Sequence, residues 1–340
     1  MKLISSLITL GFMFFIFVST TNKPDVSIDG KDKVADVLKK LGESDLSKYP
    51  NFKIQGVSAE AGRMLIEEGF SEKPNGGTTS KQSKHFVCTS CHNVVKEDID
   101  LAYTNPQDRL TYSEELGIPF LQGTTLYGAV NRESYYNGDY EKKYGDLVIP
   151  ARNNIREAIK LCAVECAQGR ELKNWELESV LAFMWTIDLK MEDLLFNGEE
   201  TEVLEKIMLE GGNKKQGIDI IKSKYAMGAD AHFVYPPENR KEGYAFEGNP
   251  ENGKLIYDNS CLHCHEKQRY SYFDLDNSKL TFKYLKKKLK GYAPHSIYQV
   301  IRWGVPSKSG KKAYMPQYTQ EKMSDQMIED LRAYIEKRAE

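Results

Sequence analysis

The sequence predicts a mostly α-helical protein of two tandem domains joined by a partly helical connector. Three observations predict it. The pentapeptide Cys88-Thr89-Ser90-Cys91-His92 returns in the second half as Cys261-Leu262-His263-Cys264-His265. Each copy follows a short segment with helix-opening signals, and each is followed far downstream by a strongly amphipathic helix. The chain has 340 residues, 40% of them hydrophobic, which is too long for one small module and provides material for two cores.

In chain order, residues 1–21 carry Lys2, an apolar run from Leu3 to Val18, and Ser19-Thr20-Thr21, the layout of a secretory signal. The run is short for a membrane span of about 20 residues, and no cysteine follows it closely to take a lipid. Cleavage and a periplasmic location are therefore expected, with membrane contact only if the segment is retained. Residues 22–55 read as a polar leader with one short helix near 34–41. Residues 56–195 form the first domain, where Ser58 caps a helix carrying Gly62, Met64, Leu65 and Ile66. A long loop from Asp100 to Pro150 follows the first motif. The domain closes with Leu177, Val180, Leu181, Met184 and Ile187 at three- and four-residue spacing. Residues 196–245 are a helix-prone connector broken by Gly211-Gly212 and Pro236-Pro237. Residues 246–340 repeat the plan. Asn249 caps, Pro250 takes the first helical position, and Gly253 permits close helix crossing ahead of the motif. Met327, Ile328, Leu331, Tyr334 and Ile335 form the final amphipathic face.

Two thiols at this spacing can form thioethers with the two vinyl groups of one haem, while the adjoining imidazole reaches the iron as proximal ligand. A zinc ribbon wants its cysteine pairs about 15 to 20 residues apart, and a redox dithiol wants a βαβ setting without the histidine. Neither condition is met. Two covalently attached haem c groups are expected, one on Cys88, Cys91 and His92, the other on Cys261, Cys264 and His265. The order helix, motif, loops, final helix is that of the class I cytochrome c fold, which residues 58–195 and 246–338 resemble. Export agrees with that reading, since c-type attachment takes place on the far side of the bacterial inner membrane.

The sixth ligand decides the chemistry of each iron. In the second domain Tyr314-Met315-Pro316 lies just before the last helix and makes Met315 the expected ligand, with His295 its rival. His263, inside the motif, cannot reach the opposite haem face. The first domain has no such Met-Pro pair; Met184 falls on an apolar stripe, and Met191 is its only other methionine after His92. Attention shifts to Cys162 and Cys166, for which three readings stand. They are a disulfide strained by its one-turn separation, two buried unreactive thiols, or a source of axial thiolate.

The stretch from Ile155 to Thr186, with Cys162, Gln168-Gly169-Arg170, Trp175 to Glu178 and Leu181 to Trp185, resembles the corresponding part of dihaem thiosulfate dehydrogenases. It is also similar to the haem subunit of the sulfur-oxidising multienzyme system. In that family the distal cysteine lies seven residues before the glycine of an Asn-Gly pair, as Cys162 lies seven before Gly169. The resemblance therefore implies Cys162 as distal ligand and puts Cys166 where the family has serine or a similar residue. Gln168 departs from the family's asparagine. The resemblance further implies that two thiosulfate anions become tetrathionate at the first haem. Cations for a sulfur oxyanion stand nearby in sequence as Arg132, Arg152, Arg156 and Arg170, and the candidate catalytic set is Cys162, Arg156 and Arg170. Thiolate ligation should lower the first potential and thioether ligation raise the second, so electrons would run from first to second.

Charge narrows the partners. Lys and Arg number 47 against 49 Asp and Glu, a net charge of -2, which gives no reason to expect nucleic acid. Residues 246–340 hold 17 Lys and Arg against 12 Asp and Glu. The lysine-rich run from Lys283 to Lys290, with Lys308, Lys311 and Lys312 beside Met315, forms a basic rim suited to an acidic redox partner near the second haem. A solvated helix face explains the same run. Two further readings follow: a dihaem carrier with no substrate site, and a dihaem peroxidase with His232 as a removable distal ligand.

Overall fold

Polar caps begin most of the helices, as the sequence signals require. The structure, a computed structural model, describes residues 28–292, 296–305 and 314–340; the expected signal at 1–21 lies outside them. The first helices are α1 (Val34–Lys40) and α2 (Ala59–Glu67), the latter opened by Ser58, whose Oγ accepts from the Ala61 amide at 3.1 Å. Next comes α3 (Pro106–Leu116), capped by Asn105, begun by a proline and stopped by Gly117 at φ +64°. Then follow α4 (Gly138–Tyr144), α5 (Ile155–Leu161), α6 (Asn174–Met184), α7 (Gly198–Glu210) and α8 (Lys214–Lys222). The second half holds α9 (Pro250–Ile256), α10 (Leu262–His265), α11 (Lys279–Leu289), α12 (Ile297–Trp303) and α13 (Asp325–Ala339). Among the described residues β structure is confined to isolated bridges, and no helix is long and apolar enough to cross a membrane.

Each half is built on one helix crossing. In the first, α2 lies across α6 so closely that a Cβ on Gly62 would sit 1.9 Å from the Ser179 carbonyl oxygen. In the second, α9 lies across α13, and a Cβ on Gly253 would sit 2.0 Å from the Asp330 carbonyl oxygen. Only glycine allows backbones to touch this way. Around the first crossing Leu65, Ile66, Val180, Leu181 and Met184 form one core. Around the second, Ile256, Tyr257, Phe282, Met327, Ile328 and Leu331 form another.

A third core corrects the reading of 22–55 as a leader and 196–245 as a connector. Val34, Val37, Leu38 and Leu41 of α1 pack against Leu204 and Ile207 of α7 and Ile221 of α8. Two segments far apart in sequence thus bury one another's apolar faces, and neither is a spacer. The stretch from Asp100 to Pro150 is likewise no simple loop. It holds α3 and α4, and its Leu110 and Phe120, both fully buried, enter the core of the second half. Burying two such side chains is worth roughly 1.5–3 kcal/mol each, so this segment fastens the halves together.

The crossings yield a testable contrast. Gly62→Ala and Gly253→Ala should each lower stability by about 1–3 kcal/mol, because the helices must separate to admit a methyl group. Gly138→Ala, where an added Cβ meets nothing within 4 Å, should be neutral or slightly stabilising. Urea denaturation of the three variants measures this.

Candidate functional site

The first motif opens with a tight turn over Cys88–Ser90, fixed by the Ser90 hydroxyl, which accepts from the Val87 amide at 3.0 Å. His92 follows, its Nδ1 2.6 Å from the carbonyl oxygen of Thr124. A carbonyl only accepts, so Nδ1 carries the proton and Nε2 keeps a free lone pair for a metal. The second motif ends a widened π-helical turn over Tyr257–Cys261 and continues through α10, where His265 Nδ1 lies 2.7 Å from the Phe273 carbonyl oxygen. The two imidazoles are thus oriented by the same device. At the first, the space is so close that a Cβ on Gly123 would lie 2.6 Å from His92 Nδ1.

All four motif thiols are free. Burial pushes Cys88 and Cys264 up to about 11 and Cys261 up to about 12, and drives Cys91 higher still. Such thiols stay protonated at neutral pH and make poor thiolate ligands. A thioether sulfur is neutral and suits the same burial. Among the described residues no group of three or more His, Cys, Asp or Glu converges to hold a metal.

Both motifs lie at the boundary between the halves. The Phe120 amide donates to the Asn259 carbonyl oxygen at 2.9 Å, and Gln107 and Asn252 exchange amide hydrogen bonds of 2.9 and 2.8 Å. Beneath them Glu97, 4% exposed, accepts from Arg109 Nη2 at 3.0 Å, Asn93 Nδ2 at 3.0 Å and the Thr125 amide at 2.8 Å. Lys322 Nζ of the second half stands 3.8 Å away. Burial would raise the Glu97 carboxyl, but Arg109, Lys322 and the hydrogen bonds outweigh it and hold it down to about 2. Burial pushes Lys322 down to about 7, with Arg109 also lowering it. Burial likewise lowers Arg132, which also feels Glu97.

Two cations, Arg109 and Lys322, therefore stand against one carboxylate, with Arg132 beyond ion-pair distance. In the same region Arg109 Nε and Nη1, Gln122 Nε2 and Thr319 Oγ1 are buried with no hydrogen-bond partner. Orphaned donors of this kind cost about 1–3 kcal/mol each unless an acceptor meets them. Surplus buried positive charge and unmet donors fit a cofactor that brings carboxylates, as haem does with its propionates. With the oriented imidazoles and neutral thiols, the residues fit haem at both motifs.

Residues 248–335 match the family model described as cytochrome C oxidase, cbb3-type, subunit III. The C-terminal half carries a c-type cytochrome domain. Covalently bound haem c and electron transfer follow from that match. No curated protein and no solved structure matches the chain.

The remaining candidates separate. Met315 of the cytochrome domain is fixed by a two-bond bridge to Val305, at 2.9 and 3.2 Å. Its neighbour Tyr314 sets its ring edge-on to Phe86 of the first half, 5.7 Å between centroids. His295 and Lys308, Lys311 and Lys312 lie outside the described residues. Met184 and Met191 are buried in the cores. Cys162–Cys166 forms a π-helical turn in which the two thiols are hydrogen-bonded rather than bridged. The Cys162 hydrogen bond pushes the exposed Cys166 thiol up, while His92 pulls it down. Tyr136, Tyr140 and Phe233 stack edge to face beside this pair, at 4.9 and 5.0 Å.

Arg156 and Arg170, read as catalytic from the sequence, are each engaged by a carboxylate of α6. Arg156 holds Glu178 through bonds of 2.7 and 2.8 Å and also donates to the Ser47 and Tyr49 carbonyls. Arg170 grips the fully buried Glu176 at 2.5 and 2.7 Å. Both guanidiniums are structural, and Arg152 pairs with Glu141. Arg132, by contrast, makes no ion pair with a described carboxylate. His232 is exposed and paired with Glu321. On α11 Phe282, Leu285 and Leu289 point inward and leave Lys283, Lys286 and Lys287 on a solvated face. Sequence reasoning did not single out Glu97, Arg109, Thr124 or Lys322. They come from four separate segments, and no spacing links them.

Glu97 gives this region a pH dependence. Its folded pKa lies below its unfolded value, so its stabilisation is complete above the usual carboxylate range and is lost as pH falls toward about 2. Glu97→Gln should flatten an acid-side loss on the order of 3 kcal/mol. Chemical denaturation of both proteins across pH 2–6 measures it.

Proposed function

We propose that the chain is an exported dihaem c-type cytochrome that passes electrons from a haem on the first motif to a haem on the second. What supports it is the meeting of two Cys-x-x-Cys-His segments at one boundary, where the Phe120 amide donates at 2.9 Å to the carbonyl oxygen of Asn259, two residues before Cys261. Haem c supplies a one-electron ferric/ferrous couple at each motif. Cys88 and Cys91, and Cys261 and Cys264, form the thioethers; His92 and His265 hold the irons from the proximal side. Met315 is the sixth ligand in the cytochrome domain, and Cys162 provides the thiolate at the first. Burial of Phe120, Leu110 and Tyr318 keeps water from the boundary. The protein works in the periplasm, and the solvated lysines of α11 receive an acidic redox partner.

A second reading is favoured by one observation. Arg132 is a half-buried cation without a carboxylate partner in the region where His92, Glu97 and Lys322 influence one another. Such a group suits a sulfur oxyanion. Two thiosulfate anions would lose two electrons and form one sulfur–sulfur bond, giving tetrathionate, and each haem would accept one electron.

Three measurements test these readings. Haem quantification on purified protein should give two per chain, and Cys88→Ser with Cys91→Ser should leave one; a single haem in the wild type defeats the proposal. Electron paramagnetic resonance of the oxidised protein should show one thiolate-bound ferric centre that disappears in the Cys162→Ala/Cys166→Ala double variant, and the single variant that removes it alone names the ligand. Thiosulfate should reduce the haems in the wild type and at least tenfold more slowly in Arg132→Gln; haems that stay oxidised would leave the carrier reading alone.

A further inference from the structure

We propose that Glu97 sets the reduction potential of the first haem, acting as a positioning residue on His92 through the 124–125 peptide group, with Lys322 of the C-terminal half as its counterweight. The inference rests on the first motif holding a haem. One amide lies between the imidazole and the carboxylate: its carbonyl accepts from His92 Nδ1 at 2.6 Å, and its N–H, that of Thr125, donates to Glu97 Oε1 at 2.8 Å. In a trans peptide these two groups point in opposite directions, so imidazole, amide and carboxylate form one aligned chain. A negative charge at the N–H end polarises the amide and makes its oxygen a stronger acceptor. Stronger acceptance at Nδ1 raises the electron density at Nε2, and a more basic ligand favours ferric iron.

The arrangement is rigid. Thr125 Oγ1 donates to the Asn93 and Val95 carbonyl oxygens at 3.0 and 2.7 Å, and Asn93 and Arg109 each hold Glu97 Oε2 at 3.0 Å. The second motif differs. There Phe273 accepts from His265, while the loop's carboxylate, Asp274, is exposed and takes the amide of Gln268 at 3.2 Å. An asymmetry between the two sites is therefore built into their surroundings, apart from the sixth ligands. Lys322 comes from the other half and faces Glu97 together with Arg109, Arg132 and Asp98. Its charge weakens the pull of Glu97, so contact between the halves bears on the first site.

Redox titration of the dihaem protein, with haem content measured on each sample, tests this. In Glu97→Gln the first haem's midpoint should rise by about tenfold in its redox equilibrium, ~59 mV for one electron, with the second unmoved. In Lys322→Gln, titrated at about pH 6 where Lys322 is charged, the same haem should shift downward. The hyperfine-shifted His92 ring protons of the ferric protein should move in both variants. Two haems present with the first potential unchanged, or both potentials shifting equally, overturns the relay. If Glu97→Gln does not fold, Lys322→Gln decides alone: a downward shift of one haem supports the relay and no shift overturns it. A wild-type chain with a single haem overturns the dihaem reading instead, and this inference with it.

Discussion

A carboxylate buried to 4% exposure must be met by donors on every side, and Glu97 recruits them from all parts of the boundary. Arg109 comes from α3, Asn93 from the chain just after the first motif, the Thr125 amide from the loop behind His92, and Lys322 from the second half. Satisfying one charge therefore fixes the loop that orients an imidazole, the helix that enters the neighbouring core, and the approach of the two halves. Removing any donor would leave part of that charge unmet, which is why packing and electrostatics at this boundary cannot be separated.

Around that boundary the two halves share a plan and differ in detail. Both cross a short helix over a long one at a glycine, at Gly62 over Ser179 and at Gly253 over Asp330. Both set a histidine by donating Nδ1 to a backbone carbonyl, leaving Nε2 for a metal. The differences lie in what stands beyond: a thiol pair in a π-helical turn with tyrosines at the first site, and a bridged Met315 strand at the second. On the proposed dihaem reading, equal proximal devices with unequal surroundings would give two centres of different potential, which is what directional electron transfer needs.

The thiosulfate reading and the structure agree on less than the resemblance implied. Two of the arginines nearest the thiols in sequence bind buried or half-buried carboxylates that hold α6 in place, so proximity in sequence was a poor guide to availability. Availability depends on whether a carboxylate already occupies the guanidinium. Glu176 and Glu178 are one helical turn or less into α6, where they cap and brace the helix, and their charge fixes Arg170 and Arg156. Arg132 has no such neighbour among the described carboxylates.

By itself the sequence determined the helices, since their signals are local: caps such as Ser58 and Asn249, the Pro250 start, and the apolar stripes of α6 and α13 lie within a few turns of chain. Even α3, read as loop, carries its own start and stop at Asn105-Pro106 and Gly117. Tertiary structure alone decided which surfaces meet. The apolar face of α1 gives no hint that its partners are α7 and α8, and nothing adjacent to Leu110 or Phe120 says that they belong to the other half's core. The donors around Glu97 are brought together from segments more than 200 residues apart by burial of those faces. A charge network of that kind has no period and no spacing, because its geometry exists only after the chain has closed on itself.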